Sequence, residues 1–233
     1  MEQVMRKKKE IIGIIPARGG SKGIPKKNIK LMNGKPLIAY TIESALESGV
    51  LDRLIVSTDS QDIADISSQY SNVQIKIRPA EISTDDSTTE SALIHVCEEL
   101  SKSEKIEIIS ILTLEPTSPF RTKETIQKCV ELLADPNIDS VVGVTEVSSV
   151  LGRIVGNEFK HIFPNQPRRR QDREGLYQES STIYGTLYDV LKRKKSVLGD
   201  KVFPLIISSE EAVDINEPLD FQIAEFLMKS RSE

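Results

Sequence analysis

The residues with the clearest chemical potential lie together near the start of the chain. Arg18, Gly19, Gly20, Ser21, Lys22, Gly23, Lys26 and Lys27 fall within ten positions. Glycines let backbone N–H groups converge on one concave site, and such a concavity suits an anion. Arginine and lysine neutralise charge, and a serine hydroxyl donates a further hydrogen bond. The combination suits a polyphosphate. It is neither Gly-x-x-x-x-Gly-Lys-Ser/Thr nor Gly-x-Gly-x-x-Gly, so neither a Walker A loop nor a dinucleotide fingerprint is implied. On composition alone, a solvated basic turn is the competing reading.

Such a loop needs a rigid support. Ile11-Ile12-Gly13-Ile14-Ile15-Pro16 is an apolar run that stops at proline immediately before it, and it reads as a buried parallel strand. Leu37, Ile38, Thr41, Ile42, Ala45 and Leu46 have helical spacing, with Gly49 as the stop. Further strands are predicted at 54–58, 73–77, 106–114, 140–147, 181–187 and 203–207. Further helices are predicted at about 60–70, 88–100 and 123–133, with a closing helix within 215–228. Strands alternating with helices predict a mainly parallel sheet covered on both faces. Ligands then lie beyond the carboxyl ends of the strands, at the loops after Ile15, Thr58 and Leu114. The polar, weakly periodic stretch at about 148–178 reads as an insertion in a single domain spanning 1–233.

Composition narrows the function. The 233 residues suit one sizeable α/β domain, and 38% hydrophobic residues suffice for a packed core. A net charge of −4 argues against a nucleic-acid partner, and the run Arg168-Arg169-Arg170 has no interleaved aromatics, so it reads as a solvated cluster. No stretch approaches a membrane span, and the charged start is not a secretory signal. Cys97 and Cys129 read as buried thiols in helices without metal-ligand spacing. These features predict a reducing, cytoplasmic setting without a membrane partner.

Ile15-Pro16-Ala17-Arg18-Gly19-Gly20-Ser21-Lys22-Gly23-Ile24-Pro25-Lys26-Lys27-Asn28 resembles the opening motif of the CMP-N-acetylneuraminate synthetases (acylneuraminate cytidylyltransferases). Further blocks resemble the family in the same order: Gly34-Lys35-Pro36-Leu37-Ile38, Val56-Ser57-Thr58-Asp59, Arg78-Pro79-Ala80-Glu81, Glu115-Pro116-Thr117-Ser118-Pro119-Phe120-Arg121, Arg170-Gln171-Asp172 and Val213-Asp214-Ile215-Asn216. The resemblance implies a Rossmann-like three-layer nucleotidyltransferase fold, with the insertion mediating a homodimer. It also implies transfer of CMP from CTP to a nonulosonic acid, with release of pyrophosphate.

Carried over residue by residue, Arg18, Lys22 and Lys27 would neutralise the CTP phosphates as catalytic groups. Ser21 and Asn28 would face the nucleotide, and Arg78 and Thr89 would border the cytosine and ribose. Asp214 occupies the family's metal position, with Asn216 beside it, for Mg²⁺. Glu115, Thr117, Ser118, Gln178 and Ser180 would shape the acceptor site, which Arg170 would reach across a dimer. Three of these residues have structural alternatives. Arg78 would also suit a surface ion pair, and Asp214 or Asn216 a helix N-cap. Arg121 would support its turn or meet the substrate carboxylate, and Tyr184 reads as packing.

Three positions depart from the family pattern. Glu115 stands where glutamine is usual, Ser180-Ser181 where Asn-Gly is common, and Asn216 where many members have a second aspartate. An ionised glutamate only accepts hydrogen bonds. Glu115 therefore predicts an acceptor with an amino or amidino substituent. Related enzymes for eight-carbon keto-deoxyoctonate usually open with a different motif. A catalytically silent nucleotide-binding module is the alternative from another class.

Overall fold

The computed structural model describes residues 7–21, 23–84, 86–104 and 106–231. Seven strands form one sheet: β1 (Lys8–Pro16), β4 (Arg53–Thr58), β5 (Val73–Ile77), β6 (Ile106–Thr113), β7 (Ser140–Val147), β10 (Leu176–Leu187) and β11 (Val202–Ile206). Their spatial order is β11-β7-β10-β6-β1-β4-β5. Two small hairpins lie outside that sheet, β2–β3 (Leu31–Met32, Lys35–Pro36) and β8–β9 (Gly152–Val155, Glu158–His161). The helices are α1 (Leu37–Ser48), α2 (Gln61–Ser67), α3 (Thr89–Ser103), α4 (Lys123–Leu133), α5 (Tyr188–Lys194) and α6 (Pro218–Ser230).

The pleat of β1 explains the layering. Successive side chains leave a strand on opposite faces. Ile15 joins a cluster with Ile38, Ile42 and Ala45 of α1, Ile63 of α2, and Ile126 and Cys129 of α4. Ile12 and Ile14 join Leu93, Val96, Cys97 and Leu100 of α3 and Leu191 of α5 on the other face. All three isoleucines are fully buried. The result is the three-layer α/β architecture that the alternating pattern predicts. A third cluster, with Ile24, Leu37, Phe120, Ile215 and Phe221, seats α6 beside the glycine-rich loop.

Local signals set the helix ends. Gly49 closes α1 at φ 66°, a left-handed conformation that glycine adopts without steric cost. Thr88 and Thr122 cap α3 and α4 by accepting from Ser91 N and Thr125 N. Such caps are worth about 1 kcal/mol each. α6 opens with a capping box of Glu217 and Asp220 and with Pro218 in its first turn. Glu217 is the cap, so neither Asp214 nor Asn216 is used for that purpose.

β10 runs antiparallel to both β6 and β7, while β1, β4, β5, β6 and the pair β7–β11 keep parallel partners. The sequence reading located strand 181–187 but not its start at Leu176 nor its direction. It also did not anticipate α5, the β2–β3 hairpin or the β8–β9 hairpin. The last lies in the predicted insertion and leaves Ile154, Phe159, Ile162 and Phe163 exposed. Cys97 and Cys129 are buried free thiols in α3 and α4, as read. Among the described residues no helix is long and apolar enough to cross a membrane.

Candidate functional site

A cavity of about 760 Å³ opens at the carboxyl ends of β1, β5 and β6. Arg18, Ser21, Gly23, Lys27 and Asn28 form its floor. Arg78 and Thr89 form one wall, Glu115 and Thr117 another, and Asp214 and Asn216 the rim. These residues, predicted for nucleotide, acceptor and metal, thus meet in one place although they come from five separate segments. Lys22 lies outside the described residues, as does Asp85 in the segment leading to Thr89.

The loop is held from three sides. Gly19 N donates to Asp59 Oδ1 at 2.7 Å, tying it to the end of β4. Asn28 Nδ2 donates to Arg18 O at 3.0 Å, while Asn28 Oδ1 is buried without a partner. Lys27 Nζ donates to Ile215 O at 2.7 Å. A Cβ on Gly23 would lie 2.6 Å from Asn216 O, so a larger residue there would push the loop off the Asp214 segment. Burial lowers the pKa of the Lys27 ammonium, and the negative charges of Asp214 and Glu115 oppose that shift.

Arg78 lies below the surface, unlike an exposed ion pair. It is buried, and its Nε and Nη2 donate to Ser57 Oγ and Ser57 O, both at 2.9 Å. Desolvation lowers its pKa, with Asp59 and Glu115 opposing. Thr89 opens α3 and donates to Glu115 Oε1 at 3.4 Å. Burial pushes the Glu115 carboxyl up to about 7 against the pull of Arg121.

Arg121 is resolved towards structural support. Nε donates to Thr182 O at 2.5 Å, Nη1 to Thr41 Oγ1 at 3.2 Å and Nη2 to Glu115 O at 2.7 Å. Burial pulls its guanidinium down to about 10, so it remains a cation. Its planar fork thereby joins α1, the turn after β6 and β10. Arg121→Met is expected to destabilise the fold by about 3–5 kcal/mol, because it strands the acceptors of a buried charge. Denaturant melts of wild type and variant measure this, and a loss below ~1 kcal/mol would refute the clamp.

On the acceptor side, Glu179, Ser181 and Tyr184 line the main cavity, and with Gln178 and Ser180 they border a connected space of about 270 Å³. Tyr184, read from sequence as packing, reaches this cavity and donates to Glu179 Oε1 at 2.9 Å. Burial raises its phenol. Ser180 is instead largely buried, its hydroxyl 2.8 Å from that of Thr182. Ser118 is fully buried against Ser181 and does not line the cavity. Arg170 borders a separate surface recess with Glu146 and Arg173 rather than this chain's cavity. Sequence reasoning gave Asp59 and Glu179 no role of their own, although Asp59 closes a family block directly after a strand.

At the rim, Asp214 Oδ2 accepts from Asn216 Nδ2 at 2.8 Å, while Oδ1 is buried without a partner. A cationic, glycine-rich loop at the strand ends of a three-layer sheet, with a carboxylate at the cavity rim, is an arrangement suited to nucleotidyl transfer. The cytidylyltransferase family model matches residues 12–199. CMP-N,N'-diacetyllegionaminic acid synthase of Legionella pneumophila is 36% identical over 96% of this chain and 98% of its own length. N-acylneuraminate cytidylyltransferases of Escherichia coli and Streptococcus agalactiae are 31% and 30% identical over 92% and 90% of this chain. The chain spans about half, 51%, of the length of each of these two. The chain belongs to the cytidylyltransferase family, in its group of CMP-N-acetylneuraminate synthetases.

Two solved structures share the fold at low identity. CMP:2-keto-3-deoxy-manno-octonic acid synthetase, complexed with CTP, has a TM-score of 0.72 at 16% identity, covering 95% of this chain and 99% of that one. A 4-diphosphocytidyl-2C-methyl-D-erythritol synthase has a TM-score of 0.70 at 15% identity, covering 96% and 99%.

Proposed function

We propose that the chain couples CTP to a sialic-acid-like nonulosonic acid, forming the CMP-sugar and pyrophosphate. The observation that carries this reading is the cavity itself: the cations Arg18, Lys27 and Arg78 line it together with the carboxylates Glu115, Glu179 and Asp214 and the hydroxyls of Thr117, Ser181 and Tyr184. The acceptor's anomeric hydroxyl attacks the α-phosphorus and pyrophosphate departs. Arg18, Lys22 and Lys27 stabilise charge that grows on the leaving group, while Ser21 and Asn28 orient the nucleotide. Arg78 and Thr89 border the base and ribose. Glu115, Thr117, Gln178, Glu179 and Tyr184 contact the acceptor.

The donor set fits Mg²⁺. This ion takes one or two carboxylates together with substrate phosphates and water. Asp214 Oδ1 is a buried oxygen without a hydrogen-bond donor, and Asn216 orients the same carboxylate through Oδ2. Asp214 would hold the ion, with Asn216 as a neutral neighbour. When bound, Mg²⁺ neutralises phosphate charge.

The exposed apolar side chains of the β8–β9 hairpin support a homodimer formed through the insertion, and the reading places the enzyme in the cytoplasm. The name of the Legionella relative favours a diacylamino nonulosonic acid as acceptor. The test is a pyrophosphate-release assay with Mg²⁺, CTP and a panel of acceptors. Release that requires both CTP and a nonulosonic acid is expected. Release with keto-deoxyoctonate alone, or with no acceptor in the panel, would overturn the reading.

A further inference from the structure

The stretch between β11 and α6 carries Asp214 without regular structure to support it. Its first tether is Ile207 N, which donates to Val144 O at 2.9 Å. Its last is Ile215, whose N–H donates to Thr117 O at 3.0 Å and whose carbonyl accepts from Lys27. Midway stands Glu211. Its Oε1 accepts from Thr122 N at 3.1 Å, Thr122 Oγ1 at 2.9 Å and Thr125 Oγ1 at 2.6 Å. Its carbonyl accepts from Thr182 Oγ1 at 2.8 Å, and Arg121 lies close enough to feel its charge.

One oxygen with three donors at a helix N-terminus is a strong attachment, because the helix dipole and the unpaired first-turn donors both favour an anion there. The helix has its own cap: Thr122 Oγ1 already accepts from Thr125 N. Glu211 therefore does more for its own segment than for α4. Asp214, three residues on, lies between the Glu211 and Ile215 attachments.

We propose that Glu211 is a positioning residue that holds Asp214 at the rim of the phosphate site by anchoring its segment to the start of α4. This rests on the reading of Asp214 as the Mg²⁺ aspartate. Loss of the side-chain anchor leaves only backbone attachments on the near side of Asp214, the Thr182 bond to the Glu211 carbonyl among them, so the aspartate is held less firmly and the metal-dependent part of nucleotide binding suffers first.

Calorimetric titration of CTP with and without Mg²⁺ separates these parts. In E211A the metal-free CTP affinity is expected to stay within about twofold of wild type, while the enhancement by Mg²⁺ falls roughly tenfold, the scale for loss of outer-shell support at metal sites. E211Q keeps the Oε1 acceptor and should recover most of it. A lower melting temperature with the enhancement intact would overturn the proposal, as would equal loss with and without metal. Should E211A fail to fold, Thr125→Val removes the 2.6 Å donor, together with a 3.1 Å contact from Thr122 Oγ1, and reads out the same ratio. A wild-type affinity that ignores Mg²⁺ would overturn the metal reading of Asp214 and this proposal with it. An enhancement that survives in E211A overturns this proposal alone.

Discussion

Asp214→Ala is expected to lower turnover about 10²–10³-fold at saturating CTP and acceptor, the usual cost of removing one group that stabilises transition-state charge. The geometry predicts that the loss falls on chemistry rather than folding. Oδ2 makes one exposed hydrogen bond to Asn216, and the cap of α6 belongs to Glu217 and Asp220, so little packing depends on this side chain. The melting temperature should therefore barely move. Asn216→Ala should cost about tenfold or less, since it removes a neutral oxygen and one hydrogen bond to the carboxylate. Pyrophosphate release across a Mg²⁺ series, with melting curves for each variant, makes the comparison. Small and equal effects of the two substitutions would refute the metal role of Asp214.

Glu115→Gln is expected to redirect acceptor choice. The native carboxylate stands at the end of β6, takes the Thr89 hydroxyl at 3.4 Å and is close enough to Asp214 and Arg78 for their charges to act on it. An anionic acceptor carboxylate would be repelled here, whereas an amino or amidino substituent, or the N–H of an acylamino group, would donate to it. The glutamine variant should shift relative kcat/KM towards plain N-acetylneuraminate by about ten- to a hundredfold, or ~1.4–2.7 kcal/mol. A wild type that prefers N-acetylneuraminate over every amino-substituted analogue would sink the idea.

The same substitution has a signature in stability. Burial raises this carboxyl from an ordinary 4.5 to about 7, so the folded chain holds its proton more tightly than the unfolded chain. The associated stabilisation is complete below pH 4.5 and is lost as pH rises through 7, at up to ~1.4 kcal/mol per pH unit. Between pH 5 and 8 the wild type should therefore lose stability relative to Glu115→Gln. Parallel pH profiles from denaturant melts would contradict this.

Much of the fold was legible because its central strands β1, β4 and β6 are rich in apolar residues and its longer helices are amphipathic. Helix 123–133 and strand 140–147 match their predicted limits. β10 was half legible: Ile183 and Leu187 mark its second half, whose other buried residues are Ser180, Thr182, Gly185 and Thr186, while Tyr177 to Glu179 are exposed and carry no burial pattern. Its antiparallel direction had no local signal, since direction is set by which neighbours the strand meets. α5 is seven residues long, too short for helical periodicity to stand out.

The same division runs through the site. By itself, the order of residues determined a glycine-rich, cationic loop after a buried strand, and the family blocks that locate Arg78, Glu115 and Asp214. Those features are local, or are matched block by block. Only the tertiary structure decided how they are used. It turned Arg121 inward as a clamp and buried Ser118. It brought Tyr184 and Glu179 to the cavity and left Asp214 Oδ1 without a donor while Glu217 capped α6. Each of those outcomes depends on contacts between residues 60 or more positions apart, or on which of several polar neighbours wins a shared hydrogen bond. A linear pattern records residue type and spacing, but that competition is settled only when packing brings the segments together.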